Sequence, residues 1–143
     1  MQIYLDNQTD FQPDTALLNT IAQHLCTRDV ELVLTDDATI AALNAEHRGK
    51  ENPTDVLSFP LEGDMEHLPL GSIVISIHHV TRKAKELGHT ENEELALLFI
   101  HGLLHLLGYD HETDSGEMRA KEKELIQTFD LPESLIVRTE EKL

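Results

Sequence analysis

Nine histidines occur in this chain of 143 residues, and three of them fall in one short string, His101-Gly-Leu-Leu-His105-Leu-Leu-Gly108-Tyr-Asp-His111. Residues four apart on an α-helix share a face, so His101 and His105 present their imidazoles to a common point one turn apart. Gly108 follows where a helix can end with a residue at positive φ, a conformation that costs glycine nothing. The chain that reverses there can return His111 to the same point. Three neutral imidazoles leave a fourth tetrahedral position open, as in catalytic rather than structural zinc sites. Water held at that position has its pKa lowered to about 7. From Leu95 to Leu107 every residue is apolar except His101, Gly102 and His105, so the helix is buried on most faces. Two imidazoles in such a place need partners, because a buried polar group without one is costly. Core histidines bonded to the backbone are the alternative reading.

By spacing alone the string resembles the metzincin peptidases, His-Glu-x-x-His-x-x-Gly-x-x-His. Gly102 stands where their general base, a glutamate, would be. The full string HGLLHLLGYDH instead resembles the signature of the YbeY family. Two further blocks carry the same resemblance: Leu43-Asn44 through Arg48-Gly49-Lys50 to Pro53-Thr54-Asp55-Val56-Leu57-Ser58-Phe59-Pro60, and Leu70-Gly71-Ser72-Ile73-Val74-Ile75. The resemblance covers most of the chain from about Val33 to Met118. In the third block the family commonly has Gly-Asp where this chain has Gly71-Ser72, which removes a carboxylate. The resemblance implies a bacterial metal-dependent endoribonuclease. Its implied work is ribosomal RNA maturation, including the 3′ end of 16S rRNA, and ribosome quality control.

Hydrolysis of a phosphodiester needs an activated water, charge stabilisation on the non-bridging oxygens and a grip on the strand. One zinc ion per chain on His101, His105 and His111 supplies the first and part of the second. Arg48 is the candidate for the rest, since a guanidinium fork matches phosphate oxygens and stays charged at any working pH. The family's motif arginine also falls on Arg48. His105 and Arg48 are therefore the candidate catalytic residues, and Arg48, Lys50, Thr54 and Ser58 the candidate substrate-binding ones. Thr54 and Ser58 read equally well as polar residues of a turn and a strand. Asp110 and Glu112 flank His111 and read either as carboxylates that orient an imidazole or as residues facing solvent.

The elements that must hold these residues follow from periodicity. Ile3 and Leu5 alternate with polar neighbours in a first strand. Pro13-Asp14 opens a helix carrying Leu17, Leu18, Ile21, Ala22 and Leu25, ending near Thr27. Val30, Leu32 and Leu34 mark a second strand, and Asp36 or Asp37 caps a helix that runs to Arg48-Gly49. A third strand covers Asp55 to Phe59, closed by Pro60, and a fourth, nearly all apolar, covers Gly71 to Ile77 inside the sheet. Residues 78 to 87 form a basic helix ending at Gly88. Thr90 and Glu93 make a capping box before the histidine helix. Asp114 to Phe129 reads as a charged helix with Met118, Leu125 and Ile126 inward. From Glu133 on, a short strand or tail is expected. The fold class is α+β: one domain over residues 1–143, a four-stranded mixed sheet with about five helices, and the metal site at the end of a buried central helix.

Composition frames the function. A single cysteine, Cys26, rules out an internal disulfide and fits a reducing compartment. No signal peptide is read at the amino terminus, and the apolar run is shorter than the ~20 residues that span a bilayer. A cytoplasmic protein without membrane attachment is expected. Its 27 acidic and 11 basic residues give a formal charge of −16, which argues against nucleic acid as a partner. Against that, Arg48, Lys50, Arg82, Lys83 and Lys85 gather five of the eleven basic residues between positions 48 and 85. His24, His47, His67, His78, His79 and His89 match no ligand spacing and read as surface or capping residues.

The leading expectation is a zinc-dependent endoribonuclease for single-stranded RNA, working on ribosomal RNA precursors with the ribosome or small-subunit proteins as partners. Oligomeric state is left open. The competing readings are a ribosome-associated assembly factor that binds RNA around a structural metal, and a metzincin-like peptidase, which the glycine at 102 disfavours.

Overall fold

The computed structural model describes residues 2–26, 28–48, 56–60, 70–109 and 115–131. Four strands and five helices follow in the order β1 (Ile3–Asn7), α1 (Thr15–Leu25), β2 (Val30–Thr35), α2 (Asp37–Arg48), β3 (Val56–Pro60), β4 (Gly71–Ser76), α3 (Ile77–Leu87), α4 (Glu91–Leu106) and α5 (Glu117–Phe129). The sheet order is β1-β2-β4-β3. β2 lies parallel to both β1 and β4, and β3 pairs antiparallel with β4, so the sheet is mixed as expected.

Strand alternation sends side chains to two faces. Val30, Leu32 and Leu34 of β2 and Ile73 and Ile75 of β4 join the large core with Leu18 and Ile21 of α1, Val80 of α3, most of α4, and Met118 and Leu125 of α5. Val74 points the other way and meets Leu57 of β3 and Ile40 of α2. One face thus carries α1, α3, α4 and α5, and the other carries α2. α4 is the central element, packed on α1, α3, α5, β3 and β4. Leu95, Leu97, Leu98, Phe99, Ile100, Leu103 and Leu104 on it are almost wholly buried, each adding roughly 1.5–3 kcal/mol by leaving water.

The boundaries show what local chemistry adds to periodicity. β4 stops at Ser76, one residue short of the expected Ile77, because the Ser76 hydroxyl accepts the His79 N–H and so caps α3. α5 begins at Glu117 rather than Asp114, after Gly116 at φ 108°, which no helix interior permits. Pro60 belongs to β3, paired with Gly71. Its missing N–H is tolerated there because β3 is an edge strand. Asp36, rather than Asp37, caps α2, accepting the Thr39 N–H at 2.7 Å. That bond holds the Asp36 carboxyl below its usual range. α1 ends at Leu25 with Cys26 as its cap, and burial pushes the Cys26 thiol pKa up. α3 ends at Gly88 with φ 76° as expected. Ile126 is half-buried rather than fully inward. Asp55 and the segment from Glu133 lie outside the described residues.

Candidate metal centre

α4 is anchored at its start by a complete capping box: the Thr90 side chain accepts the Glu93 N–H and the Glu93 carboxylate accepts the Thr90 N–H. Its end comes where Gly108 takes φ 101°, with the Gly108 N–H donating to the His105 carbonyl and the Tyr109 N–H to the Leu104 carbonyl. Between those ends the two histidines sit one turn apart and partly buried. Their Nε2 atoms face each other at 3.2 Å, with the rings 77° from coplanar. Two nitrogens at zinc–nitrogen distances of 2.0–2.1 Å around a tetrahedral ion are about 3.3 Å apart. The separation observed fits two ligands on one such ion, as it also fits a hydrogen bond between the two rings, and the donor set suits zinc.

Behind His101 lies a buried carboxylate to which the histidine motif alone does not point. Glu122 of α5 is 1% exposed, and its Oε2 is 3.1 Å from His101 Nδ1. The signal was present in the spacing: Met118, Glu122 and Leu125 stand at i, i+4 and i+7, so Glu122 shares the inward face of a helix read only for its apolar members. Asp110 and Glu112, expected in that orienting role, lie outside the described residues.

Gly102 lies on α4 beside His101. A Cβ built there would come 2.9 Å from Ile73 Cγ2, 3.1 Å from Ser58 Oγ and 3.2 Å from Val56 Cγ2. Close approach of α4 to β3 and β4 requires glycine, so the glutamate of the metzincin pattern has no room. Ser58 is part of this contact, its hydroxyl donating to the Gly102 carbonyl at 3.0 Å. β3 therefore enters the fold directly beside the histidine pair, and the chain between Arg48 and Val56 leads into it. Arg48 is the last residue of α2, and its side chain is outside what the structure describes. Lys50, Thr54 and His111 lie outside the described residues, as do most of the loop residues 61 to 70.

The other histidines separate. His78 Nδ1 accepts the Asp37 N–H at 3.4 Å, and His79 sits beside Arg82 on α3. His24 lies edge-on to Phe129. His89 departs from the surface role expected of it. Its side chain is 10% exposed and its Nε2 is 2.8 Å from Oε1 of Glu94, which is fully buried. Ser72, which stands where the family commonly has aspartate, donates to Glu31 Oε1 at 3.2 Å from the facing position on β2. An aspartate there would meet that glutamate as a like charge, so serine suits this sheet. His47 and His67 fall outside what is described.

Comparison with known proteins gives this geometry a family. The model of the family described as endoribonuclease YbeY matches residues 6–130. The chain belongs to that family. An endoribonuclease YbeY from Wolinella succinogenes is 60% identical over 139 residues, covering 97% of this chain and 99% of that protein. One from Sulfurovum is 57% identical over 143 residues, covering 96% and 97%. Among solved structures, a Thermotoga maritima protein studied in solution matches with a TM-score of 0.60 at 30% identity, covering 89% of this chain and 88% of that one. The YbeY match extends well beyond the three motif blocks, to the strand and helix before them and to the helix that supplies Glu122.

Proposed function

We propose that this YbeY-family protein is a zinc-dependent endoribonuclease that cuts single-stranded RNA, with one zinc ion per chain held by His101, His105 and His111. The observation that carries the reading is the convergence of two imidazole nitrogens at 3.2 Å, one turn apart, with a buried carboxylate behind the first. Zinc, when bound, supplies a Lewis acid and brings the pKa of water down to about 7. The remaining work belongs to the chain. His101 and His105 hold their nitrogens in register because α4 is packed on all sides. The turn at Gly108 ends α4 three residues ahead of His111. Arg48, where α2 gives way to the loop, forks onto non-bridging phosphate oxygens and offsets the charge that builds there. Lys50 and Thr54, on the loop entering β3, hold the strand. Ser58 fastens β3 to the backbone of α4, so that what the loop binds is registered against the histidine pair.

Ribosomal RNA precursors and defective ribosomes are the proposed targets, with ribosomal small-subunit proteins as partners, in the cytoplasm. Among the described residues no helix is long and apolar enough to cross a membrane. A local basic track fits an acidic protein better than general attraction to RNA, and a ribosomal partner that presents the strand removes the need for a cationic surface.

The test is cleavage of a labelled single-stranded RNA by metal-stripped protein, with and without zinc, with His105→Ala as control for contaminating nuclease. Zinc should restore cutting in the unsubstituted chain only, and Arg48→Ala should lower the rate about 10²–10³-fold. Equal cutting by His105→Ala would overturn the reading.

A further inference from the structure

We infer that Glu122 is the positioning residue of the metal centre: it fixes the tautomer of His101 and so aims the lone pair of His101 Nε2 at the metal position. The inference rests on the zinc reading above and adds a member to its site. A carboxylate accepts hydrogen bonds and donates none when ionised, and neutral imidazole carries one N–H and one lone pair. An ionised Glu122, with Oε2 at 3.1 Å from His101 Nδ1, therefore places the proton on Nδ1. That leaves the lone pair on Nε2, the atom that faces His105 Nε2 at 3.2 Å. In the metal-free protein that nitrogen–nitrogen contact needs a proton from the other side, so His105 carries its own on Nε2. Ligation through His105 Nε2 would therefore need that proton shifted to Nδ1 of the same ring, whereas His101 needs no such shift.

Burial makes the arrangement firm. The Glu122 side chain is 2% exposed and that of His101 12%, so water competes little for either. The placement on α5 matters too. Met118 and Leu125, both fully buried, seat α5 on the core on either side of Glu122. The docking of α5 is thus what brings the positioning carboxylate to His101.

The experiment follows ring nitrogens by long-range ¹⁵N–¹H correlation in metal-free protein at pH 8, above the ordinary imidazole range near 6.5, and measures zinc affinity by chelator competition. In the wild type the His101 proton should be on Nδ1 and the His105 proton on Nε2. Glu122→Gln retains an acceptor oxygen and should keep the tautomer, with zinc affinity within about tenfold. Glu122→Ala should lose the preference and bind zinc about 10–100-fold more weakly. Should Glu122→Ala fail to fold, the wild-type tautomer and Glu122→Gln still decide. A wild-type His101 protonated on Nε2, or undiminished zinc affinity in folded Glu122→Ala, overturns the inference. A wild type with the stated tautomer but no zinc affinity overturns the zinc reading instead, and leaves the orienting contact standing.

Discussion

A methyl group at Gly102 would press on Ile73 Cγ2, and neither that buried side chain nor Ser58, tied to the Gly102 carbonyl, can step aside freely. In an exposed helix Gly→Ala gains about 1 kcal/mol. Here overpacking, at roughly 1–3 kcal/mol, outweighs that gain. Gly102→Ala should therefore lower unfolding free energy by about 1 kcal/mol in urea titration; a more stable variant would show that α4 does not approach the sheet this closely. The sequence carried the histidine pair openly, through spacing and the apolar run around it, but left Glu122 and the His89–Glu94 pair unread. Charged residues on a charged helix look solvated until the neighbours that bury them are known, and those neighbours come from distant segments. In the sequence Gly102 stands out only as a missing glutamate, because close approach to Ile73 and Val56 is a tertiary fact.

Between elements, the joint of α2 with α3 is tied through one carboxylate. Asp37, in the first turn of α2, accepts from Arg82 Nη1 at 2.8 Å and from the Ser76 hydroxyl at 2.7 Å, with His78 Nδ1 at 4.0 Å. The Arg82 bond, then Ser76 and the charges of Arg82 and His78, hold the Asp37 carboxyl below its usual range against the opposing effect of burial. A carboxyl lowered in the folded state stabilises fully above its unfolded value of about 3.9 and loses that contribution as pH falls through the lower folded value. Arg82 is half-exposed, so solvent limits the effect to about 1 kcal/mol at most. Asp37→Asn should thus be less stable at pH 7, and the gap to wild type should close as pH drops below about 4 in acid titrations of unfolding. A gap independent of pH would contradict this role for the charge. Element order and type were legible because period and caps agreed along nearly the whole chain. Boundaries slipped where one residue serves two elements, as Ser76 does at the end of β4 and the start of α3.

For the molecule as a whole, alternating strands and helices announced an α+β fold. They did not announce which sheet face each helix takes: among the described helices α2 lies opposite α4, a choice made by Val74, Leu57 and Ile40 meeting on the far side. The formal charge of −16 is the feature least like a nuclease. Among the described basic side chains, Arg82 is bonded to Asp37 and Lys83 to Glu86, so part of the basic track serves the fold. Under the proposed function, phosphate binding then falls to Arg48, Lys50 and the exposed Lys85. The most direct test is a titration of zinc into stripped protein, following bound metal and RNA cleavage in the same samples. Cleavage should rise to a plateau at one zinc per chain and be absent throughout in His111→Ala, whereas cleavage already complete before zinc is added, or retained in His111→Ala, would contradict the account.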